Sequence, residues 1–343
     1  MTKMKVKAEK THGLSLISIL LVFLLLITGC SAGSLQKKDP SGKEENTTQI
    51  EEPDYHNIIY KDKKYVYNSQ ITAVLYSGLD SDSELVTSNR YTIAPRADSI
   101  ELIVLDNYHK VIKVLAISRD TITAVERYTM NGNSRGKYDT QLGYAYVYGD
   151  GGKVSCLNLT QAVSEMLGGV PIHEYAVTNN ASVVALNNMV GGITVTVPND
   201  DLIADYPELK KGAVVALDDT NVDAFVRWRD TSIPYTNNGR MERQQAFSSA
   251  FLQKFKTLIE KDTEGVWNKI ESMSPYMETS ITRNQYLKLA ELVSNLTFSE
   301  EDYYYIDGED IQGEQYDEVH LDKESLEKTI VDLFYIEDGE VEK

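Results

Sequence analysis

The stretch "VRWRDTSIPYTNNGRMERQQ", Val226 to Gln245, gathers Arg227, Arg229, Arg240 and Arg243 in a 343-residue chain whose formal net charge is -18. A guanidinium is planar and presents paired N–H donors that match the edges of carboxylates and phosphates, so a cluster with few compensating acids calls for an anionic ligand. A solvated salt-bridge face is the plainer alternative. Two further arginines stand beside acids: "APRADS" places Arg96 two residues before Asp98, and "ISRDT" places Arg119 next to Asp120.

The surrounding pattern suggests how these groups are carried. "ITAVLYSGLD", Ile71 to Asp80, reads as a buried strand that delivers a carboxylate to its end. "DSIELIVLDNYHKVIKVLAISRDT" reads as two strands around a polar turn at residues 107–110. Leu159, Ala162, Val163, Met166 and Leu167 recur at helical spacing before Gly168-Gly169, "EYAVTN" follows as a strand, and "NASVVALNNMVGG" and "ITVTVP" repeat the alternation as helix and strand. Such alternation indicates an α/β layered fold. "AFVRWRD" reads as a strand that presents Arg227 and Arg229 on one face. "TNNGRMERQQAFSSAFLQKFK" reads as a helix starting near Asn238 or Gly239, with Phe247, Phe251, Phe255 and Leu258 on its buried stripe and Arg240, Arg243 and Gln244 on one side of its first turns. Cations are unfavourable at a helix N-terminus, so two arginines there suggest an anion that also meets the backbone N–H groups.

The N-terminus bears on location. Lys3, Lys5, Lys7 and Lys10 precede an apolar run from Leu14 to Ile27, flanked like a secretory signal, and "ITGC" ends in Cys30 after small residues as a bacterial lipobox does. The expectation is a lipoprotein signal over 1–29, a lipidated Cys30, and a body held at the outer face of the cell membrane; an uncleaved signal anchor is the alternative. Cys156 is then without a disulfide partner and reads as a buried thiol. No two of the five histidines, nor a histidine and a cysteine, have zinc-site spacing. Secretion and net acidity argue against a nucleic-acid ligand.

Taken in order, "PRADSIELIVLD", "LAISRDT", "YAYVYGDGG", "MLGGVPIHEY" and "VRWRD...GRMERQQ" resemble the LytR-CpsA-Psr family of bacterial cell-envelope proteins, over roughly 71–256. The resemblance implies a three-layer α/β/α fold, with a central mixed sheet flanked by helices and an apolar tunnel for a polyprenyl tail. It also implies a phosphotransferase that moves a glycopolymer, such as a teichoic acid or capsular polysaccharide, from its undecaprenyl diphosphate carrier to peptidoglycan. By position, Asp80 and Asp98 match the acids associated with Mg²⁺, for which Mn²⁺ could substitute. Arg96, Arg119, Arg227, Arg229, Arg240 and Arg243 match the phosphate-binding arginines, and Gln244 a polar residue of the same motif. Arg119, Asp98 and Asp120 are the implied catalytic group, with the base left open between Asp98 and Asp120. Where family members carry an arginine shortly after the first acid, this chain has Ser81, Asp82 and Ser83, which makes Asp82 a competitor of Asp80.

Independently of the resemblance, a departing phosphate needs charge stabilisation of the kind that hard carboxylates with Mg²⁺ and arginines provide. The chain is thus divided into the signal peptide, a lipidated polar tether over 30–65, a catalytic domain over 66–262, and an acidic C-terminal extension over 263–343, expected to pack on that domain. From residue 265 onward 20 acids face 6 bases, which read as a solvated face. Tyr144, Tyr146 and Tyr148 have strand spacing and read as sheet packing or as a sugar platform. The alternative function is a non-catalytic lipoprotein that holds a polyprenyl-phosphate-linked glycan.

Overall fold

A computed structural model of the protein describes residues 55–314 and 316–339. The expected signal peptide, the lipidated Cys30 and the first part of the tether lie outside the described residues. The tether is shorter than expected: β1 (Asn57–Tyr60) and β2 (Lys63–Tyr67) already form an antiparallel hairpin inside the stretch read as polar linker. Tyr65 and Tyr67 of β2 pack against the main core.

The three expected strands follow as β3 (Ile71–Leu79), β4 (Ala97–Asp106) and β5 (Val111–Ile117). The β4–β5 turn is shaped by Asp106, whose carboxylate accepts the backbone N–H groups of Tyr108 and His109, as short acids do in turns. β3 is buried along almost its whole length, as a central strand covered on both faces must be. An outlying hairpin, β6 (Ile122–Tyr128) with β7 (Ser134–Gln141), leads into the one-turn α1 (Tyr144–Val147) and then α2 (Lys153–Met166). The Asp150 carboxylate caps α2 by accepting from Gly152, Val154 and Ser155, and Gly168 and Gly169, both at positive φ, end it.

β8 (Glu174–Asn179), α3 (Val183–Met189) and β9 (Ile193–Thr196) match the expected alternation; β10 (Val214–Leu217) pairs with β9. The next expectation fails. "AFVRWRD" is not a strand: α4 (Val222–Arg227) is a short helix that ends at Arg227, with Trp228 extended beyond it. An acid in its first turn, Asp223, pairs with Arg227 at i+4, and Val222 and Phe225 are buried at i and i+3, so helical pairing overrides the short apolar run. α5 (Asn237–Ser272) starts close to the expected position and breaks at Asp262, where φ is -153° and ψ 67°.

The C-terminal part is not an extension packed on a finished domain. It supplies β11 (Met277–Thr279), α6 (Arg283–Ser294), β12 (Tyr303–Tyr305), the hairpin β13 (Gly308–Gln312) and β14 (Asp317–Leu321), α7 (Lys323–Phe334) and β15 (Tyr335–Glu337). The central sheet runs β11-β8-β3-β4-β5-β12, so both of its edge strands come from this part. β3–β8 and β5–β12 are parallel and the remaining pairs antiparallel. β15 closes the chain by pairing with β2.

Along β4, Ile100, Leu102 and Val104 face a core shared with α1, α2 and the α7–β15 junction, whereas Ser99, Glu101, Ile103 and Leu105 face α5 and α6. Helices therefore cover both faces of a mixed sheet in three layers. Leu333, Phe334 and Tyr335 are buried in the first core. Phe334→Ala should therefore destabilise the whole domain by about 3–5 kcal/mol in urea or thermal unfolding, which a merely appended tail would not do.

Candidate active site

The site is built where β3 ends and β4 begins. Gly78 pairs with Ser99 and Leu79 with Ala97, so Asp98 is the extra residue of a β-bulge, a device that re-aims one side chain. Gly78 is needed there, since a Cβ would come 2.6 Å from Ser99 Oγ, which instead accepts the Gly78 N–H at 3.0 Å. The Asp98 carboxylate is shared. Oδ1 accepts from Arg119 Nη1 and lies 3.6 Å from Arg96 Nε, and Oδ2 accepts from Arg240 Nη1 at 2.8 Å.

Arg119 follows β5, and Arg240 sits in the first turn of α5, where its second amino group donates to Asn237 Oδ1 at 2.7 Å. The side chains of Arg119 and Arg240 are 3% and 4% exposed, and the Nε–H of each makes no hydrogen bond among the described residues. Burial would raise the Asp98 carboxyl, but Arg240, Arg119 and Arg96 outweigh it and hold it below the usual carboxylate range. Burial, followed by mutual repulsion, pulls the guanidiniums of Arg119 and Arg229 down, and burial does the same at Arg240; guanidiniums remain charged regardless.

Asp120 behaves differently. Its two oxygens accept from the amides of Gln141 at 3.0 Å and Asn237 at 3.0 Å, and Arg119 Nε is 3.6 Å away. Burial dominates and lifts its carboxyl above the usual range despite the nearby arginines. Gln141, at the end of β7, and Asn237 were not singled out from sequence; neutral amides carry no charge or spacing signal, and only their contact with Asp120 marks them.

The expected arginines part company. Arg96, Arg119, Arg229 and Arg240 converge around Asp98 and Asp120, and Arg229 makes no hydrogen bond or ion pair with a described residue. Arg227 stands on the neighbouring wall, bound to Asp223 at 2.9 Å and Asp82 at 3.3 Å. Arg243 is turned away from the cluster. It is fully buried, donates to the Phe225 and Trp228 carbonyls, Asn199 Oδ1 and Asp201 Oδ2, and so fastens α4 and the loop after β9 to α5. Gln244 faces the cavity and donates to the Val226 carbonyl at 3.2 Å. Asp80 is exposed at the end of β3; its N–H bonds the Arg96 carbonyl, and Asn180 Nδ2 is 3.4 Å from its Oδ1. Among the described residues no three His, Cys, Asp or Glu side chains are placed to share a metal ion.

Two chemistries flank the arginines. On one side a neck of about 130 Å³, lined by Asp98, Arg227, Arg240 and Gln244, shares Tyr76, Ile103, Leu186 and Phe251 with an almost wholly apolar cavity of about 230 Å³. Phe247, Phe251, Phe255 and Leu258 of the expected buried stripe pack in the cores under α5, and Phe251 and Phe255 also line that cavity. On the other side lies a polar cavity of about 300 Å³, walled by Arg96, Arg119, Asp120, Arg229 and by Tyr316 and Asp317 of the β13–β14 hairpin. The tyrosines are not a strand stripe: Tyr144 and Tyr148 stack at 6.2 Å across α1, Tyr144 carries Arg96 over its ring, and Tyr146 is buried. Cys156 is buried, and burial pushes its thiol far up, so it is no nucleophile.

The model of the LytR_cpsA_psr family matches residues 30–333. The chain belongs to that family. Curated relatives are the polyisoprenyl-teichoic acid–peptidoglycan teichoic acid transferases TagU of Bacillus cereus, 26% identical over 60% of this chain, and TagV of Bacillus subtilis, 27% identical over 63%. The matches span 62% and 53% of those relatives' own lengths. In structure this family member is similar to the crystal structure of B. subtilis TagV, with a TM-score of 0.57 at 24% identity, covering 77% of this chain and 96% of that one. TagT bound to LIIa-WTA gives a TM-score of 0.58 at 22% identity, with 78% and 90% covered. These likenesses carry the same three-layer fold.

The two arginine roles separate by experiment. Arg229→Ala, which removes an unpaired cation, should change stability by no more than about 0.5 kcal/mol yet weaken binding of inorganic pyrophosphate in calorimetry. Arg243→Met removes a fully buried guanidinium and leaves the Phe225 and Trp228 carbonyls without that donor, and should cost about 3 kcal/mol in thermal unfolding.

Proposed function

We propose that this chain is a glycopolymer–peptidoglycan phosphotransferase that acts on a polyprenyl diphosphate-linked teichoic acid or related wall polysaccharide. The observation that carries the reading is the continuity of an apolar cavity with a cluster of buried guanidiniums: a ligand that satisfies both is a lipid tail joined to a diphosphate. Family membership and the transferase activity for which the curated relatives are named support it.

In this reading the isoprenoid occupies the cavity under α5 and α6, and Arg119, Arg240, Arg96 and Arg229 take the diphosphate. The amino groups of Arg119 and Arg240 that now hold Asp98 are the donors it would draw to itself. The acceptor enters through the polar cavity. Its hydroxyl oxygen bonds to the phosphorus that bears the glycan, the P–O bond to the polyprenyl phosphate breaks, and the hydroxyl proton passes to Asp120. Asp120 suits this role because its carboxyl is lifted towards neutrality, whereas Asp98 is held acidic by three arginines. Arginines fixed before reaction stabilise the charge on the departing phosphate.

Asp80 and Asp98 would hold Mg²⁺ or Mn²⁺. The donor set fits, since both are hard oxygen ligands at adjacent strand ends and Mg²⁺ commonly uses one or two carboxylates together with substrate phosphates. A diphosphate that draws Arg119 and Arg240 to itself frees the Asp98 oxygens for that purpose. The metal would supply further neutralisation of the phosphate oxygens. A lipid on Cys30 would keep the body at the outer membrane face, where carrier and peptidoglycan meet.

The test is incubation of the full chain in detergent with a polyprenyl diphosphate-linked sugar, peptidoglycan fragments and Mg²⁺, followed by mass spectrometry. A phosphodiester adduct is expected, lost on chelation and in Asp98→Ala; carrier binding without any adduct would leave only a binding lipoprotein. Asp120→Asn should lower turnover by about 10²-fold or more. In the wild type the rate should fall as pH drops through the Asp120 ionisation, at a midpoint above the ordinary carboxylate range, and the Asn variant should lose that limb.

A further inference from the structure

One carboxylate in the cavity has no part in the chemistry above. Glu101 lies on β4 opposite Tyr76 of β3 and Ala116 of β5, on the face that presents Ser99 to the mouth and Ile103 and Leu105 to the apolar cavity. It is 6% exposed and lines the neck with Asp98, Arg240 and Gln244. Its Oε1 accepts from Ser248 Oγ of α5 and from the Tyr303 hydroxyl of β12, each at 2.7 Å. Oε2 has no hydrogen-bond partner among the described residues and is not sealed away from the cavity. No Lys or Arg forms an ion pair with it, although Arg240 shares its neck and Arg119 the small adjoining cavity. Asp98 and Arg227 line the same neck, and the tyrosines facing Glu101, Tyr76, Tyr303 and Tyr305, are all neutral at ordinary pH.

An unpaired carboxylate in such a place is costly, whereas a carboxylic acid is not. Oε1 already accepts two hydrogen bonds, so the proton belongs on Oε2, the oxygen free to address the neck. Resting on the transferase reading, we propose that Glu101 is a positioning residue that donates from Oε2 to the lipid-side phosphate of a polyprenyl diphosphate and sets the phosphate–isoprenoid junction at the boundary between the arginines and the apolar cavity. Burial raises its carboxyl, in the direction this role requires, while the Tyr303 and Ser248 hydrogen bonds oppose the rise. Ionised, the same group would set a negative charge against the diphosphate.

The experiment measures the affinity of the full chain in detergent for geranylgeranyl diphosphate across pH. Wild-type affinity should fall about tenfold per pH unit above the Glu101 ionisation, because only the protonated fraction is competent. Glu101→Gln keeps a donor and cannot ionise, so its profile should lack that fall, and whatever pH dependence it retains belongs to titration of the ligand. Tyr303→Phe and Ser248→Ala remove donors to the charged form, so the fall should begin at higher pH; a structural role alone would not move that midpoint. A Glu101→Gln profile identical to wild type, or a Tyr303→Phe or Ser248→Ala midpoint that stays in place, overturns the assignment. Wild type that binds geranylgeranyl diphosphate at no pH overturns the transferase reading and this inference with it.

Discussion

The arrangement of the site depends on one carboxylate serving several guanidiniums. Asp98, pushed out of register by a bulge at the start of β4, draws Arg119 from beyond the end of β5, Arg240 from the head of α5 and Arg96 from the residue just before β4 to one point. Without that charge the two buried guanidiniums of Arg119 and Arg240 and the half-buried one of Arg96 would repel one another; with it they remain a cluster with positive charge to spare. Breaking a buried network of this kind is far more costly than the loss of an exposed ion pair. An anionic ligand can therefore join an organised set of donors.

The same node separates two solvents. Inward, the sheet face and α5 with α6 line a space almost without polar groups, and outward the loop after α4 and the β13–β14 hairpin line a polar one. A molecule with a lipid end and a sugar end is oriented by such a division before any specific contact is made. Asp98 and Asp120, only a few residues from the same arginines, differ because three guanidiniums overcome burial at the first and burial prevails at the second. That contrast leaves one carboxylate held ionised among its guanidiniums and the other drawn towards neutrality.

The acidic C-terminal part shows how far composition can mislead. Its many acids suit a solvated face, and its apolar pattern calls for burial of Leu333 and Phe334, which do enter the main core; that β11 and β12 complete the sheet at both edges is written in neither. Tyr303 also reaches Glu101 inside the neck, and Asp317 and Tyr316 wall the polar cavity. The segment is part of the site as well as of the fold.

The amino-acid sequence alone determined the order of strands β3 to β5, helix α2, strand β8 and the start of α5, because side-chain periodicity and glycine stops act over a few residues. It also marked Arg96, Asp98, Arg119, Asp120, Arg229 and Arg240, since charged groups in "APRADS", "ISRDT" and "VRWRD...GRMERQQ" are conspicuous in any local reading. Tertiary structure decided the rest. Whether "AFVRWRD" is strand or helix turned on the Asp223–Arg227 pairing and the burial of Phe225. Arg240 and Arg243 lie on neighbouring turns of one helix, yet one meets Asp98 and the other Asp201 and two carbonyls from α4 and the residue after it. A guanidinium's role is set by acceptors brought to it from distant parts of the chain, and no local pattern contains them.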